Sequence, residues 1–427
     1  MRNNKIFISG CGATGRLAIS LERIFRELYQ SDQVIGFMAG GDFALISAVE
    51  KFEDSFEYSY RQMRELGFKD GDMLIAITEG GETSFVIGTV HESLKSSVIS
   101  PYFVYCNPDD ELKAIKRSSE ILENASVKKL NLCVGEMAIS GSTRMQATTV
   151  QMLAVGFSLL RNFMELKQFK KEFEDYIDEL KSFDFSFLSS FIEKEAEHYQ
   201  GGGILTYCTD KDLAICLLTD TTERSPTFGL KSFESVDSND PSLAYLSIDN
   251  EDDNKNAWHD LLGREPRCLN WKELEKTISS DALYKLDISK KTIERRENLG
   301  FHKRFLIHSK DGKIEFNFDH LSYHLPLKSQ DPLYKNILLK IIVNTLSTLS
   351  MGRLGRYQGN MMTHLKTNNF KLIDRAFRYV KELLKQCDLN GDDEEILKLI
   401  LDPKMSKMDG ALVMNVFEKM KSLKITK

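Results

Sequence analysis

The chain has 427 residues, with 57 Lys and Arg against 63 Asp and Glu, for a formal net charge of −6. That length accommodates two domains and a sizeable core, and the acidic balance gives no electrostatic case for nucleic acid or an anionic membrane surface. No run of ~18 apolar residues occurs, so no transmembrane helix is expected, and a β-prone run begins too soon after Met1 for a basic and apolar signal pair.

Residues 5–22, KIFISGCGATGRLAISLE, read as strand, glycine turn and helix. Lys5–Ser9 is apolar and β-prone, Gly10, Gly12 and Gly15 form the turn, and Leu17, Ile19, Leu21 and Ile24 mark a helix running from Arg16. Backbone N–H groups at such a helix start converge on a spot that the helix dipole makes favourable for an anion, so this is a candidate phosphate cradle. A tight turn alone would also explain the glycines. The literal Gly-x-Gly-x-x-Gly is the dinucleotide fingerprint too, but a nicotinamide enzyme needs an acidic residue ~20 positions on, at the end of the next strand. The next run, Val34–Ala39, ends in Gly40-Gly41-Asp42, late for that role, and no cofactor is expected.

The first half continues with a strand Val34–Met38, a helix Phe43–Asp54 carrying Glu50, Glu53 and Asp54, a strand Asp72–Thr78 and a helix Phe85–Leu94. Strands Ser100–Cys106 and Leu130–Val134 precede a long apolar helix, Met145–Met164. The alternation predicts a parallel sheet covered on both faces. Thr78–Ser84 is a second candidate cradle: the hydroxyls of Thr78, Thr83 and Ser84 and the N–H groups at Gly80 and Gly81 suit phosphate oxygens. A single Ser/Thr-rich loop is usually a helix cap, but two such turns at strand ends of one sheet coincide with where open α/β sheets bind ligands.

Thr78–Ser84, TEGGETS, resembles the phosphate loop of SIS (sugar isomerase) domains, usually Ser-x-Ser-Gly-Glu-Thr. GCGATGRLA at 10–18, AGGDFALISAVEKFEDS at 39–55 and SGSTRMQATTVQML at 140–153 resemble a narrower subgroup, which holds the N-acetylmuramic acid 6-phosphate etherases and the glucokinase regulatory protein.

Glu165–Gln200 is charged, amphipathic helix, a connector. Gly201–Cys208 then restarts the strand-and-turn pattern, followed by helical residues 211–222, which indicates an internal duplication. The echo has lost its glycines: the turn is Thr209-Asp210-Lys211-Asp212, whose acids would repel phosphate. Strands Leu243–Ile248 and Arg304–His308 and a helix Leu333–Leu354 complete a degenerate second domain. Residues 345–371 resemble the helix closing the second SIS domain and a Thr-Asn-x-x-Lys segment ending at Lys371, and 372–427 read as three short helices. Asp388–Glu394 resembles a calcium loop only faintly, with Gly391 misplaced. The seven cysteines are scattered and lack Cys-x-x-Cys, which fits a reducing, cytoplasmic setting. His320 and His324 stand four apart without a His-Glu pattern and read as ordinary helix or loop residues, so no metal is expected.

The resemblance implies two flavodoxin-like, three-layer αβα SIS domains with mainly parallel sheets: residues 1–165 with the phosphosugar site, 166–365 with the connector and the degenerate copy, and a helical segment 366–427. The implied ligand contacts are Gly12, Ala13, Thr14, Glu50, Glu53, Thr78, Glu79, Gly80, Gly81, Thr83, Ser84 and Lys371, the last matching a lysine that the regulatory protein uses on its sugar phosphate. In the etherases two glutamates serve lactyl-ether elimination and water addition. Glu53 matches one, with Glu50 a helical turn before it. At the other position the first half has Ile24, which cannot move a proton, with Glu22 and Glu27 out of step; the matching acid appears in the second half as Glu223. Glu53 and Glu223 would be catalytic only in an etherase. The expected function is therefore a hexose-phosphate sensor or regulator in carbohydrate metabolism, binding a hexose phosphate or amino-sugar phosphate and resembling the glucokinase regulatory protein. The alternative is an etherase-like carbon–oxygen lyase. The first reading allows a sugar kinase as partner, although the surface that grips the kinase is not carried over.

Overall fold

A computed structural model describes residues 4–425 other than 50, 162, 366, 368, 369 and 409, and leaves out the side chains at 275, 276, 370, 371, 406, 407, 424 and 425. The first half runs β1 Ile6–Gly10, α1 Ala13–Tyr29, β2 Val34–Met38, α2 Phe56–Glu65, β3 Met73–Ile77, α3 Ser84–Ser96, β4 Tyr102–Tyr105, α4 Asp109–Lys113, α5 Lys116–Glu123, β5 Lys128–Asn131 and α6 Gln146–Leu160. Helices α7 Leu166–Lys181 and α8 Leu188–Gln200 lead to β6 Ile204–Thr209, α9 Lys211–Phe228, β7 Ala244–Ile248, α10 Asn254–Leu262, α11 Glu275–Ile278, α12 Ser280–Tyr284 and α13 Lys291–Glu297. Then come β8 His302–Lys310, β9 Lys313–Phe318, β10 Leu321–Pro326, α14 Pro332–Arg353, a two-stranded β11 Tyr357–Gln358 and β12 Met361–Met362, and α15 Phe370–Gln386, α16 Asp393–Leu401, α17 Pro403–Lys407 and α18 Leu412–Ile425.

The first sheet is all parallel in the order β2-β1-β3-β4-β5, the flavodoxin-like order. Its strands β1 and β3 are near-continuous apolar runs because both faces are covered: Ile8 faces a core shared with the second half, whereas Phe7 faces the core under α2 and α3. The second sheet has the order β10-β9-β8-β6-β7, with β7, β6 and β8 parallel and β9 and β10 added as an antiparallel meander. That meander is not among the expected strands, although Ile314, Phe316 and Phe318 alternate inward with period two. His320 therefore lies in the β9–β10 turn and His324 in β10. Helices α1 and α6 pack on α9 and α14, so one apolar core spans both halves, and α15–α18 close over a separate core around Val380, Leu384, Ile396 and Val416.

The helix expected over Phe43–Asp54 does not form. Only a 3-10 turn, Asp42–Leu45, is helical, and the next helix starts at Phe56, where Ser55 accepts a hydrogen bond from the Tyr58 amide at 3.1 Å. Tertiary packing overrides helix propensity here. Val49 folds over Gly40, which has φ +92, and buried Phe52 stacks at 5.5 Å on Trp271 of the second half. Glu53 consequently sits in a turn and not on a helix; Glu50, expected a helical turn before it, lies outside the described residues. Helix α9 instead runs longer than expected, through Pro226 to Gly229 in the left-handed region.

The second half grips the first through buried ions. Arg264 donates to Glu22 Oε2 at 3.1 Å and to Asp42 Oδ2 at 2.5 Å, while Arg267 donates to Glu22 Oε1 at 2.7 Å. Burial opposes charge on Asp42, yet the Arg264 guanidinium holds its carboxyl below the usual range. Glu22 and Asp42, without a role in either sugar-phosphate reading of the sequence, are thus structural. Arg264→Met would leave Asp42 buried without its guanidinium; urea unfolding should show a loss of about 3–5 kcal/mol.

Candidate functional site

The two expected cradles lie side by side, because β1 and β3 are neighbours while the chain connects β1 to β2 on the other side. This is a topological switch point, where the loops leave a crevice at the carboxyl ends of the strands. In the first turn Gly12 has φ 57 and ψ −121, a conformation costly to any residue with a Cβ. Gly15 brings α1 so close to β2 that a Cβ would lie 2.4 Å from Met38 Cβ. The buried Thr14 hydroxyl accepts from the Cys11 amide at 3.1 Å and donates to its carbonyl at 3.0 Å, closing the turn. Gly12 and Ala13 remain partly open.

In the second turn Thr78 is buried, its Oγ1 accepting from the Gly81 amide at 3.3 Å and lying 3.2 Å from Thr83 Oγ1. Gly81 has φ +77, and a Cβ there would strike Leu112. Thr83 is the N-cap of α3 without a side-chain cap bond, and with Ser84 it is half-buried at the helix start. The Phe85 amide donates to the Glu53 carbonyl at 3.0 Å, which brings the Glu53 segment to the same helix end. Glu82 points to Arg117, 3.2 Å away.

A third segment, Ser140–Arg144, joins the second of these turns, a role the sequence reading does not assign to it. Thr143 Oγ1 donates to Glu79 Oε1 at 2.8 Å, and Gln151 of α6 donates to the Thr78 carbonyl at 2.8 Å. Helix α15 docks on the same segment, Arg375 donating to the Gly141 carbonyl at 3.1 Å and Tyr379 to that of Ser140 at 2.7 Å. Lys371 begins α15 one turn before Arg375; its side chain lies outside the described residues.

Arg144 then enters a buried ionic cluster from the second half. It donates to Asp220 and to Ser347, and Asp220 also receives Arg224, which reaches Glu195 at 2.9 Å. Glu223 lies 3.6 Å from Arg144, and burial raises its carboxyl above the usual range against the pull of Arg16 and Arg144. Glu223 Oε2 and Arg144 Nε and Nη1 have no hydrogen-bond partner among the described residues. Glu223 also lines a cavity of ≈ 20 Å³, room for about one water, together with Ala13, Ser20, Asn336 and Lys340. The second half thus places a carboxyl beside the first cradle, whereas Ile24 is packed in the core. Arg16, the basic residue of the first turn, points inward to the Leu45 carbonyl and Thr222. The signal for Lys340 was available: it is a lone cation in the apolar run Leu338-Leu339-Lys340-Ile341-Ile342. A larger concavity of ≈ 500 Å³ lies between β2, α2 and residues 267–271, and neither phosphate turn lines it.

In the second half the turn after β6 is closed by the protein's own anion. Asp210 Oδ1 accepts from the amides of Asp212 and Leu213 at 2.9 and 3.2 Å, and Oδ2 from that of Ser309 at 2.5 Å. His308 pairs with Asp249 at 2.8 Å beside it. Among the described residues no group of three or more His, Cys, Asp or Glu is arranged to hold a metal ion, and no helix is long and apolar enough to cross a membrane.

Residues 1–94 match the family described as the glucokinase regulatory protein N-terminal SIS domain. An N-acetylmuramic acid 6-phosphate etherase of Aliivibrio fischeri (strain MJ11) is 32% identical over 153 residues, 35% of this chain and 47% of that protein. An etherase of Clostridium acetobutylicum is 32% identical over 156 residues, covering 36% and 48%. The chain therefore spans about half the length of the curated relatives it matches. Among solved structures, tagatose-6-phosphate ketose/aldose isomerase from Escherichia coli aligns over 86% of this chain and 87% of its own, at 10% identity and a TM-score of 0.45. Through its N-terminal part the chain belongs to the SIS (sugar isomerase) domain family. Within it, residues 1–94 match the glucokinase regulatory protein branch, and about a third of the chain is similar to the N-acetylmuramic acid 6-phosphate etherases.

The Asp210 carboxylate caps α9 in place of a ligand. Asp210→Ala should lower stability by about 0.5–2 kcal/mol in urea titration, the range for a lost N-cap.

Proposed function

We propose that the protein binds a hexose phosphate or amino-sugar phosphate at the switch point of the first sheet and acts as a sensor or regulator, as the glucokinase regulatory protein does. The observation that carries this reading is the pair of adjacent helix starts, α1 after Gly12 and α3 after Thr83, both opening on the crevice between β1 and β3. Backbone amides, the helix dipoles and the Thr83 and Ser84 hydroxyls are suited to phosphate oxygens, and Gly12, Ala13, Thr14, Glu79, Gly80 and Gly81 shape the cradle. Glu53 accepts sugar hydroxyls. Lys371 supplies the full cation, a reading supported by the docking of α15 on the Ser140–Arg144 segment. A sugar kinase is the partner that this reading allows.

A second reading, an etherase-like lyase, is favoured by Glu223. Its buried carboxyl beside Ala13, with a raised pKa, suits general acid–base work, and Glu53 would be its counterpart. One carboxylate would take the proton from the carbon next to C1 while the other assists the departing lactyl oxygen. The isoleucine at position 24 is the argument against it.

A thermal-shift screen of hexose phosphates should raise the melting temperature in a concentration-dependent way. The double variant Thr78→Ala, Thr83→Ala should weaken fructose 6-phosphate binding by roughly 100-fold or more in calorimetry, the Thr83 hydroxyl bond to a charged group and the Thr78 hydroxyl that holds the Gly81 amide being removed together. Unchanged affinity would reject the cradle. Release of lactate from N-acetylmuramic acid 6-phosphate separates the two readings: none is expected of a regulator.

A further inference from the structure

We infer that Lys340, a residue of the second half, holds the first half's phosphate loop in its binding geometry, and that sugar-phosphate binding is coupled to protonation of this lysine; the inference rests on the phosphate site proposed above. Lys340 Nζ donates to the Arg144 carbonyl at 2.5 Å, to Thr149 Oγ1 at 2.9 Å and to Asn344 Oδ1 at 3.0 Å. An ammonium has three protons and all are used; a neutral amine has two and would leave an acceptor unmet. Two of the three acceptors belong to residues 144–149, the segment entering α6. The residues flanking that segment reach the phosphate loop, Thr143 through Glu79 and Gln151 through the Thr78 carbonyl. Lys340 thus acts on the loop through others and is a positioning residue.

The charge balance around it points the same way. From α9, Glu223, Asp220 and the Cys216 thiol face Lys340; from the start of α6, Arg144; α1 brings uncharged Ala13 and Ser20 to its cavity and Arg16 to Glu223. Arg224 and Glu195 continue the cluster beyond Asp220. Four buried cations, Arg16, Arg144, Arg224 and Lys340, meet three buried carboxylates, Glu195, Asp220 and Glu223. Fully ionised, this cluster holds an excess positive charge, which is costly in a protein interior. It is relieved either by loss of the Lys340 proton or by an anion nearby. Ala13, the first residue of α1 at the cradle, lines the cavity that Lys340 lines. Burial lowers Lys340 to about 8 without ligand, against the pull of Glu223. Phosphate ester and proton therefore favour each other, reciprocally.

The sign follows. Below pH 8 Lys340 is charged and affinity is full; as pH rises through 8 in the free protein, binding must first take up a proton and affinity falls. The ester, with its second pKa near 6, stays dianionic throughout. With the full-length protein and fructose 6-phosphate, calorimetry at pH 8 in two buffers of different ionisation enthalpy should register uptake of about half a proton. Affinity should drop about tenfold between pH 7.5 and 9.5. Lys340→Met should bind at least about tenfold more weakly at pH 7.5 and show no pH dependence over that range. A merely structural lysine would lower stability without moving the proton count. If Lys340→Met does not fold, the parent protein's proton count decides. No proton uptake with pH-independent affinity overturns the role of Lys340 while leaving the phosphate site standing. No binding at any pH rejects the phosphate site, and the inference with it.

Discussion

The structure depends on the placement of Arg144. Its guanidinium is buried between the two halves, and burying a charge is tolerable only when partners replace the lost water. Asp220 and Ser347 provide them from α9 and α14, and Asp220 in turn satisfies Arg224. The loop that carries Arg144 also carries Thr143, which holds Glu79, so the geometry at the end of β3 follows from an ion pair made with the other half of the chain. Removing any member leaves a buried charge uncompensated. The halves therefore cannot slide against each other without breaking the cluster, and the Arg264 clamp on Glu22 and Asp42 fixes the opposite side in the same way.

The duplicated architecture has been put to two uses. In the first copy, glycines at the strand end keep the backbone amides of a helix start open to a ligand. In the second, Asp210 fills the equivalent place with a carboxylate bonded to three amides, and the His308–Asp249 pair lies over the same strand ends. An acidic turn was expected to exclude phosphate by repulsion; occupation of the amides is the more direct cause, since donors already satisfied by an internal anion gain little from an external one. What the second copy contributes instead is side chains aimed at the first: Glu223 and Lys340 both line the cavity next to Ala13. The acid absent at position 24 is thus present in space near the first cradle, delivered from more than 190 residues away in the chain.

The strand–turn–helix at residues 5–22, the Thr78–Ser84 loop, the parallel first sheet and the repeat in the second half were all legible in the sequence. Each is announced by neighbours: apolar runs of strand length, glycines where a Cβ would collide, a change of period from two to 3.6. Residues 43–54 have a local pattern that suits a helix, but the fold draws Phe52 onto Trp271, a contact more than 200 residues apart that local propensity cannot anticipate. The β9–β10 meander carries a period-two signal, Ile314, Phe316 and Phe318 alternating inward. The roles of Arg144, Asp220 and Glu22 have no local signature, because a charged residue in a helix or loop reads the same whether it meets solvent or a partner; only Lys340, alone in an apolar run, carries one. Which charges are buried and which carboxylate closes the turn of the second half were decided only by tertiary packing, since desolvation and pairing depend on what the rest of the chain brings within about 3 Å.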